Sequence, residues 1–298
     1  MPGLSAENRG CSQLHIFCTP VVPRTHRLSF APMPRGLGDW PINCGALVGS
    51  KAPIDPMADL ASSRRFWEEK AKENPLWYVS SYGSFAHRDE AQFWDSGDRI
   101  WREIKRAVGY QPTATDTVVE LGCGVGRLTR AIATEVTVCH AFDISETMLA
   151  RAREGIGHGV EFHLAEGASL RPMGDGVADL VLAYCVLQHL PSETVLAANL
   201  SEMVRVVKPG GLIVFTTAPR GWRSRLLPLS RFKSVLMAAF RRTGPKGTYK
   251  KEWVGIRPSR ARVERLCPVP LEFRALPGER WLYWSRKPVA IERSGETG

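Results

Sequence analysis

The sequence predicts an α/β protein with a doubly wound, mostly parallel sheet of seven strands, a helical N-terminal cap and an antiparallel last strand. Three observations support this fold class. Strand and helix patterns alternate five times between residues 117 and 217, at about 20 to 30 residues per unit. The first and fourth predicted strands are mainly apolar, which is typical of parallel strands buried on both faces. The first strand leads directly into a glycine-rich turn and a helix.

Composition and charge narrow the class of protein. The chain has 298 residues and a formal net charge of +10. No run of about 18 apolar residues is present, so we expect no membrane-spanning helix. The seven cysteines stand at irregular spacings, which favours neither a disulfide framework nor a zinc site. We therefore expect a cytoplasmic protein without a metal.

The chain divides by composition into three parts. Residues 1–56 carry scattered prolines and no sustained periodicity, so we expect a disordered extension. An upstream start-codon assignment or a transit peptide would also account for it. Residues 57–110 have a helical pattern and are expected to form the cap. Residues 111–290 are expected to form the main domain, with a lid insertion at 218–257.

The cap region is unusually rich in aromatic residues. We expect two or three helices, with a break at Asp95-Ser96-Gly97 and a last helix from Gly97 to Val108 that packs on the sheet. Most of these aromatic side chains are expected in the core. Tyr82 and Trp94 lie near loop signals, and we predict that they line a substrate pocket.

The main domain contains the predicted strands and helices in regular order. Helices are predicted after the glycine turn, over Glu146 to Arg153 with Ser145 as the cap, and from Pro191-Ser192 to about Val207, where Lys208-Pro209-Gly210-Gly211 ends the helix. A later helix is expected over Ser259 to Cys267. Gly278-Glu279 predicts a turn, so the last two strands should form an antiparallel hairpin at the sheet edge. The predicted strands are 118–121, 136–143, 160–164, 179–184, 212–216, 271–275 and 281–285.

The glycine turn indicates which ligand the domain binds. A strand, a glycine loop and a downstream acid are shared by proteins that bind dinucleotides and by proteins that bind S-adenosylmethionine. The dinucleotide motif requires a third glycine at the position of Arg127, and Glu120 at the strand end would repel a pyrophosphate. The spacing from Glu120 to Gly126 favours a ligand without a phosphate. Arg127 is expected to be structural.

With these motifs, the region from Thr117 to Thr217 resembles the class I S-adenosylmethionine-dependent methyltransferases, which have a Rossmann-like fold. The glycine loop, Asp143, Ala165-Glu166-Gly167 and the Lys-Pro-Gly-Gly turn occur in the order of that family's motifs. The resemblance implies S-adenosylmethionine as cofactor. It implies that the loop encloses the methionine and ribose portion, with Glu120 near the ligand amino group, Asp143 on the ribose hydroxyls and Glu166 at adenine. Glu166 replaces the family's usual aspartate. The cofactor-binding residues that it implies are Glu120, Gly122, Cys123, Gly124, Gly126, Asp143, Ile144, Glu166, Gly167, Ala183 and Tyr184.

His189 is the predicted general base. It follows the carboxyl end of the fourth predicted strand, where ligands bind in such sheets, and an ordinary histidine pKa of about 6.5 suits proton abstraction. The alternative is that His189 only begins a helix. His140 and His163 lie inside strands and are expected to be structural.

A basic segment after the fifth predicted strand bears most directly on which substrate is bound. Residues 218–251 contain ten Lys or Arg and no acid, and Leu229 to Arg242 has the pattern of a cationic amphipathic helix. We expect a lid over a hydrophobic or anionic small molecule, with Tyr249, Trp253 and Arg257 completing it. The alternatives are a transient contact with an anionic membrane surface near a lipid acceptor and, less favoured, an RNA contact.

These expectations combine into one function. The chain should methylate an oxygen or nitrogen of a small molecule. The alternatives are a lipid, quinone or RNA acceptor, and a protein that binds S-adenosylmethionine without turnover. The oligomeric state does not follow from the sequence.

Overall fold

A computed structural model describes residues 56–80, 89–157, 159–218, 247–248, 250–276 and 280–289. Its strands are β1 Thr117–Leu121, β2 Val138–Asp143, β3 Val160–Leu164, β4 Ala178–Ala183, β5 Val207–Thr217, β6 Glu272–Leu276 and β7 Arg280–Arg286. Its α-helices are α1 Pro56–Glu73, α2 Pro75–Ser80, α3 Glu90–Val108, α4 Arg127–Ala133, α5 Glu146–Ile156, α6 Glu193–Val206, α7 Lys251–Val254 and α8 Arg260–Leu266. A short 3-10 helix spans Leu187–His189.

The strands form one sheet in the order β3-β2-β1-β4-β5-β7-β6. The first five are mutually parallel, and β7 pairs antiparallel with both β5 and β6. This confirms the predicted fold class. From β1 the chain first builds outward to β3 and then returns to the other side of β1 with β4. Ligands bind in such sheets at this reversal, beyond the carboxyl ends of the strands.

Both faces of the central strands are covered, which explains why β1 and β4 are almost fully buried. On one face, Val119 and Val181 pack with α6 and α8. On the other face, Val118 and Leu180 pack with α3 and α4. Adjacent strand residues therefore enter opposite cores because side chains alternate across a strand. The helix predicted to pack directly on the sheet is α3, through side chains such as Trp101.

The predicted break at Asp95-Ser96-Gly97 is wrong, because α3 is continuous from Glu90 to Val108. Gly97 allows this helix to pack closely against the start of α4. A Cβ atom added there would lie 2.1 Å from the backbone oxygen of Arg127, so only glycine lets α3 approach the start of α4 this closely. The pattern therefore signalled a close contact between helices.

The predicted end of α6 near Val207 is confirmed, because this helix ends at Val206, but Lys208-Pro209-Gly210-Gly211 do not form a separate turn. These residues lie within the bounds of β5, which begins at Val207. Ala178 pairs with Val207 and Leu180 with Leu212, so the segment forms an irregularity in the β4–β5 ladder. Other boundaries agree within a few residues, and Ser145 caps α5 by accepting from the Met148 N–H.

Several expectations lie outside the described residues. These are the extension before residue 56, the amphipathic segment 229–242, the turn at Gly278-Glu279, and the side chains of Tyr82 and Tyr249. The described helices are all too short or too polar to cross a membrane.

Candidate functional site

A cleft of about 400 Å³ opens at the carboxyl ends of β1, β2 and β4. The glycine loop forms its floor, and α1 and α2 contribute to its walls. Most of the predicted site residues that the structure describes lie together here. Those that line the cleft are Glu120, Gly122, Cys123, Gly124, Asp143, Ile144, Gly167, Tyr184 and His189.

The glycine loop has a backbone that other residues would strain. Gly122 and Gly124 have φ values of 73° and 58°, in the left-handed region that favours glycine. Added Cβ atoms would lie 2.2 Å from Val186 and 2.6 Å from Val79. The loop therefore needs glycine both for its conformation and for its close packing. It leaves backbone exposed to the cleft.

Gly126 has a different role from the one predicted. It precedes α4 with a φ of 85°, and an added Cβ would lie 2.4 Å from Ile156 of α5. It does not line the cleft. Its small size serves the packing of α4 against α5.

Asp143 ends β2 and is held by the loops around it. Its Oδ2 accepts from the Gly124 N–H at 2.8 Å and its Oδ1 from the Ser145 N–H at 2.9 Å. Burial raises the pKa of this carboxyl to about 6, and the backbone hydrogen bonds only partly offset that effect. Asp143 thus fixes the glycine loop and presents its carboxylate to the cleft.

Glu120 faces the same cleft from β1. Its Oε2 accepts from the Thr129 hydroxyl at 2.6 Å. Burial raises its pKa to about 7, against the hydrogen bond from Thr129 and the nearby charge of Arg127. Burial therefore favours the neutral carboxyl of Glu120 more than water does, which the sequence did not predict.

Three predicted site residues lie elsewhere. Glu166 is exposed and outside the cleft, whereas its neighbour Gly167 lines it. Ala183 is fully buried in the core at the end of β4. Trp94 lies within α3, 5.0 Å from the Arg130 guanidinium, because the predicted loop beside it is helix.

An aromatic cluster stands beside the cleft. Trp253 of α7 stacks on Trp77 at 5.9 Å and lies 5.3 Å from the His189 ring. Trp67 and Tyr78 contact the same cluster and line the cleft, whereas Trp253 does not line it. The cluster gives one wall of the cleft a flat, apolar surface.

His189 lies at the edge of this cluster. Its Nδ1 is 2.6 Å from the Trp253 carbonyl oxygen, so Nδ1 carries the proton and Nε2 is left as an acceptor. Burial lowers its pKa to about 4, although the bond to Trp253 opposes the shift. The expected pKa near 6.5 is therefore wrong, and the imidazole is neutral at pH 7.

The N-terminal cap is tied to the sheet by Glu68 of α1. Its carboxylate accepts from the Ser145 hydroxyl at 2.7 Å and from both the N–H and the hydroxyl of Thr147. These bonds attach α1 to the start of α5, beside Asp143. The cap thereby places Leu60, Ser63 and Trp67 in the cleft wall.

A group of metal-ligating side chains lies outside the cleft, on β2 and β3. His140 Nδ1 is 3.1 Å from His163 Nε2 and 3.3 Å from a carboxylate oxygen of Glu161. The three ligand atoms lie within 4.8 Å of one another. The two histidines bond to each other, in keeping with the structural role expected of them.

The family is decided by the motifs at this cleft. Residues 119–215 match a family model described as a methyltransferase domain, and this stretch holds the glycine loop, Asp143 and the end of β4. Residues 119–215 of this chain therefore form a methyltransferase domain.

Two curated methyltransferases are similar to this chain. Ubiquinone biosynthesis O-methyltransferase of Thiobacillus denitrificans is 30% identical over 141 residues, which are 46% of this chain and 57% of that protein. Demethylmenaquinone methyltransferase of Mycolicibacterium gilvum is 33% identical over 145 residues, which are 48% of this chain and 58% of that protein. The matches thus span little more than half of each relative.

A solved methyltransferase structure shares the fold. Magnesium protoporphyrin IX methyltransferase from Synechocystis PCC 6803 with bound SAH has a TM-score of 0.52 to this chain at 16% identity. The match covers 77% of this chain and 100% of that one. At 16% identity, this similarity shows a shared fold and nothing more.

The cleft fits S-adenosylmethionine. Gly122 and Gly124 leave backbone open to a ligand. Two backbone N–H groups fill only part of the roughly four lone-pair positions of the Asp143 carboxylate, so it can still accept from hydroxyl groups. Glu120 supplies a second acceptor for a cationic group.

Sequence reasoning missed part of the lining. The aromatic density of the cap indicated that region but did not separate pocket residues from core residues. Arg127 was expected to be structural, and no local pattern marked Arg280, which arrives from β7 at the far end of the chain. The lining residues that were missed include Trp67, Arg127 and Arg280, whereas Arg257, expected in the roof, does line the cleft.

Proposed function

We propose that this chain transfers a methyl group from S-adenosylmethionine to an oxygen or nitrogen of a small molecule, with a phenolic oxygen favoured. The observation that carries the proposal is the aromatic wall formed by Trp67 and Tyr78 in the same cleft as Asp143 and the glycine loop. An aromatic ring packs favourably on such a wall. The similar proteins named as O-methyltransferases support oxygen as the acceptor atom.

We assign the cofactor to the residues around the glycine loop. Asp143 would accept from the ribose hydroxyls, Glu120 would face the cationic amino group, and Gly122 and Gly124 would give backbone access. When bound, S-adenosylmethionine supplies an electrophilic methyl group on a sulfonium. The contribution of the protein is alignment and exclusion of water. Well-oriented partners gain on the order of 7 to 11 kcal/mol from such positioning.

His189 is proposed to accept the proton of the phenol. Its Nε2 has no proton when Nδ1 donates to the Trp253 carbonyl, so the ring is set up as an acceptor. The low pKa makes it a weak base. A weak base can still take the proton of a phenol during methyl transfer, because the phenolic O–H becomes more acidic as its oxygen bonds to the methyl group.

Calorimetric titration with S-adenosylmethionine tests the cofactor assignment. We expect the wild type to bind and Asp143→Ala to lose affinity. Glu166→Gln is the matched control, because Glu166 is an acid outside the cleft, and its affinity should be unchanged. If the wild type does not bind, or Asp143→Ala binds equally well, the assignment is wrong. Mass spectrometry of reactions with a panel of phenols then tests the acceptor class.

A lipid-soluble quinone precursor is the second candidate acceptor. The specific observation is that both similar proteins described above carry quinone-related names. The segment 229–242, predicted to be amphipathic, would bring the cleft to a membrane surface. Flotation with anionic liposomes tests this candidate, and failure to float would favour a water-soluble acceptor.

We retain the predicted organisation as a proposal. Residues 57–110 would form the cap, residues 111–290 the methyltransferase domain, and residues 218–257 a lid over the acceptor. All described cleft residues lie between Leu60 and Arg280, which is in keeping with this division.

A further inference from the structure

Arg127 is a buried cation that lines the cleft. Its residue exposure is 3%, and its Nε and Nη1 have no hydrogen-bond partner within the described part of the chain. The guanidinium lies 5.8 Å from the ring of Phe93. A buried guanidinium without a paired anion is costly, so such a group normally has a partner.

The acid beside Arg127 does not supply that partner. Glu120 gives its Oε2 to Thr129, and no ion pair joins it to Arg127 within the described residues. Burial also raises the pKa of Glu120, which favours its neutral form. Within the described residues, no carboxylate is therefore paired with Arg127.

A second cation stands in the same cleft. Arg280 of β7 donates from Nη1 to the Tyr184 hydroxyl at 2.6 Å, and this Nη1 lies 3.9 Å from the sulfur of Cys185. Burial lowers the pKa of Arg127, and the nearby positive charge of Arg280 lowers it further. Tyr184 and Cys185 follow directly from β4, so the two guanidinium groups converge beyond the end of that strand.

The charges of the described lining are unbalanced. Three arginines, Arg127, Arg257 and Arg280, face two carboxylates, Glu120 and Asp143. S-adenosylmethionine would add a sulfonium and an ammonium against one carboxylate. A cleft holding the cofactor is therefore still positive, and it favours a further anion.

We propose that Arg127, flanked by Arg280, binds a carboxylate group inside the cleft. The proposal rests on the proposed function. A planar guanidinium matches a carboxylate with two parallel hydrogen bonds, and the unused Nε belongs to such a pair. The carboxylate has two sources that share this chemistry, the amino-acid end of the cofactor and an acidic group on the acceptor.

Titrations with matched ligands separate the two sources. S-adenosylhomocysteine carries the carboxylate, and methylthioadenosine lacks the whole amino-acid end beyond the sulfur. For the acceptor, 4-hydroxybenzoate and the neutral 4-hydroxybenzamide are titrated into protein saturated with S-adenosylhomocysteine. The variants are Arg127→Met and Arg280→Met. Arg130→Met is the control, because Arg130 is an exposed arginine of the same helix outside the cleft.

A cofactor carboxylate predicts that Arg127→Met weakens S-adenosylhomocysteine about 10- to 100-fold and leaves methylthioadenosine unchanged. An acceptor carboxylate predicts that S-adenosylhomocysteine is unchanged and that the preference for benzoate over benzamide is lost. Arg280→Met should show the same pattern more weakly. The Arg130→Met variant should match the wild type.

The melting temperature distinguishes an arginine that binds a ligand from an arginine that only stabilises the fold. Arg127→Met removes a buried charge that is paired with no carboxylate within the described residues, so the melting temperature of the ligand-free variant should rise or stay level. If Arg127→Met and Arg280→Met bind all four ligands as the wild type does, there is no carboxylate site. Equal losses in Arg130→Met would also overturn it. A wild type that binds neither adenosine ligand would instead overturn the proposed function, and the inference with it.

Discussion

Single residues in the cleft are governed by burial. Asp143 and Glu120 are acids whose pKa values are raised to about 6 and about 7 because desolvation outweighs their hydrogen bonds. His189 is a base whose pKa is lowered to about 4 for the same reason. All three therefore favour their neutral forms more than in water, and ligand binding should depend on pH through the acids.

We predict that S-adenosylmethionine affinity falls as the pH drops below about 6. Ionised Asp143 accepts from the ribose hydroxyls, and protonation removes that ability. The dissociation constant should rise toward tenfold per pH unit below the pKa. Calorimetry from pH 5 to 8 measures it. Asp143→Asn should bind weakly with a flatter profile, and Glu120→Gln identifies any dependence that comes from Glu120. A wild-type affinity that is constant down to pH 5 would contradict the prediction.

The folded state should also become less stable as the pH rises through the same range. The ordinary pKa of Asp143 is 3.8, so between that value and about 6 the folded chain binds more protons than the unfolded chain. Stability due to this group therefore falls with rising pH in that window. Its carboxylate is retained at a cost in stability, which fits a role in binding.

We predict that His189→Ala lowers kcat by roughly 10- to 100-fold, the lower part of the range for general-base catalysis. Since His189 titrates near pH 4, its protonation should produce no loss of activity between pH 8 and 5. Rate measurements over this range test both statements. An unchanged kcat in His189→Ala would remove the residue from the mechanism and leave it as packing for Trp253.

Helices are positioned by contacts between residues far apart in sequence. Gly97 allows α3 to reach the backbone of Arg127, and Glu68 joins α1 to the start of α5. Both contacts lie near the cleft. A change in either helix should therefore alter stability first and ligand affinity through the position of the cleft wall.

Gly97→Ala should destabilise the protein, against the usual gain from alanine in a helix. The added Cβ would lie 2.1 Å from the Arg127 carbonyl oxygen, so the two helices must separate. We expect a loss of about 1 to 3 kcal/mol. Gly155→Ala in α5 is the matched control, because its Cβ would meet only Trp94 at 3.6 Å. It should gain up to about 1 kcal/mol. Urea denaturation of both variants measures the contrast, and equal effects would contradict it.

Glu68→Gln should weaken the attachment of α1 by about 1 to 2 kcal/mol at pH 7. Burial alone would raise the pKa of Glu68, but hydrogen bonds from Thr147 and Ser145 outweigh it and lower the value to about 2. The stabilisation is complete above the ordinary value of 4.5 and is lost as the pH falls toward 2. The difference between wild type and variant in urea should therefore shrink over that range. Glu69→Gln, at an exposed neighbour, should be nearly neutral throughout.

The cleft is lined by elements from most of the described chain. Its lining comes from five helices, α1, α2, α4, α5 and α6, from six strands or the loops beside them, and from the segment before α8. A ligand there contacts elements spread over most of the described chain. Binding should therefore stabilise the domain as one unit.

Saturating S-adenosylmethionine should raise the melting temperature. A ligand at 100 times its dissociation constant stabilises the native state by about 2.7 kcal/mol, which is roughly 5 to 10 °C for a domain of this size. Differential scanning fluorimetry measures the shift. Asp143→Ala should show little of it at the same concentration. A wild-type shift confined to part of the transition would indicate that the cap unfolds separately from the sheet.

The prediction of the site was most accurate for residues whose chemistry and position in a local pattern both indicated the cleft. Gly122, Gly124 and Asp143 stand at fixed distances from strand ends, so their place in the cleft followed from the order of elements. Trp94 and Glu166 were misplaced because one turn of helix or one residue of a loop decides which way a side chain faces. The pKa of His189 could not be anticipated, since Trp253 and the surrounding burial come from distant segments.

The sequence by itself determined the alternation of buried strands and helices, the glycine loop and the family, because these depend on residues close together in the chain. Only the tertiary structure decided that Gly97 lies inside a helix, that Lys208-Pro209-Gly210-Gly211 interrupts a ladder, and that Arg127 and Arg280 share one cleft. Those outcomes depend on contacts between distant segments, whose burial and charge no local periodicity contains.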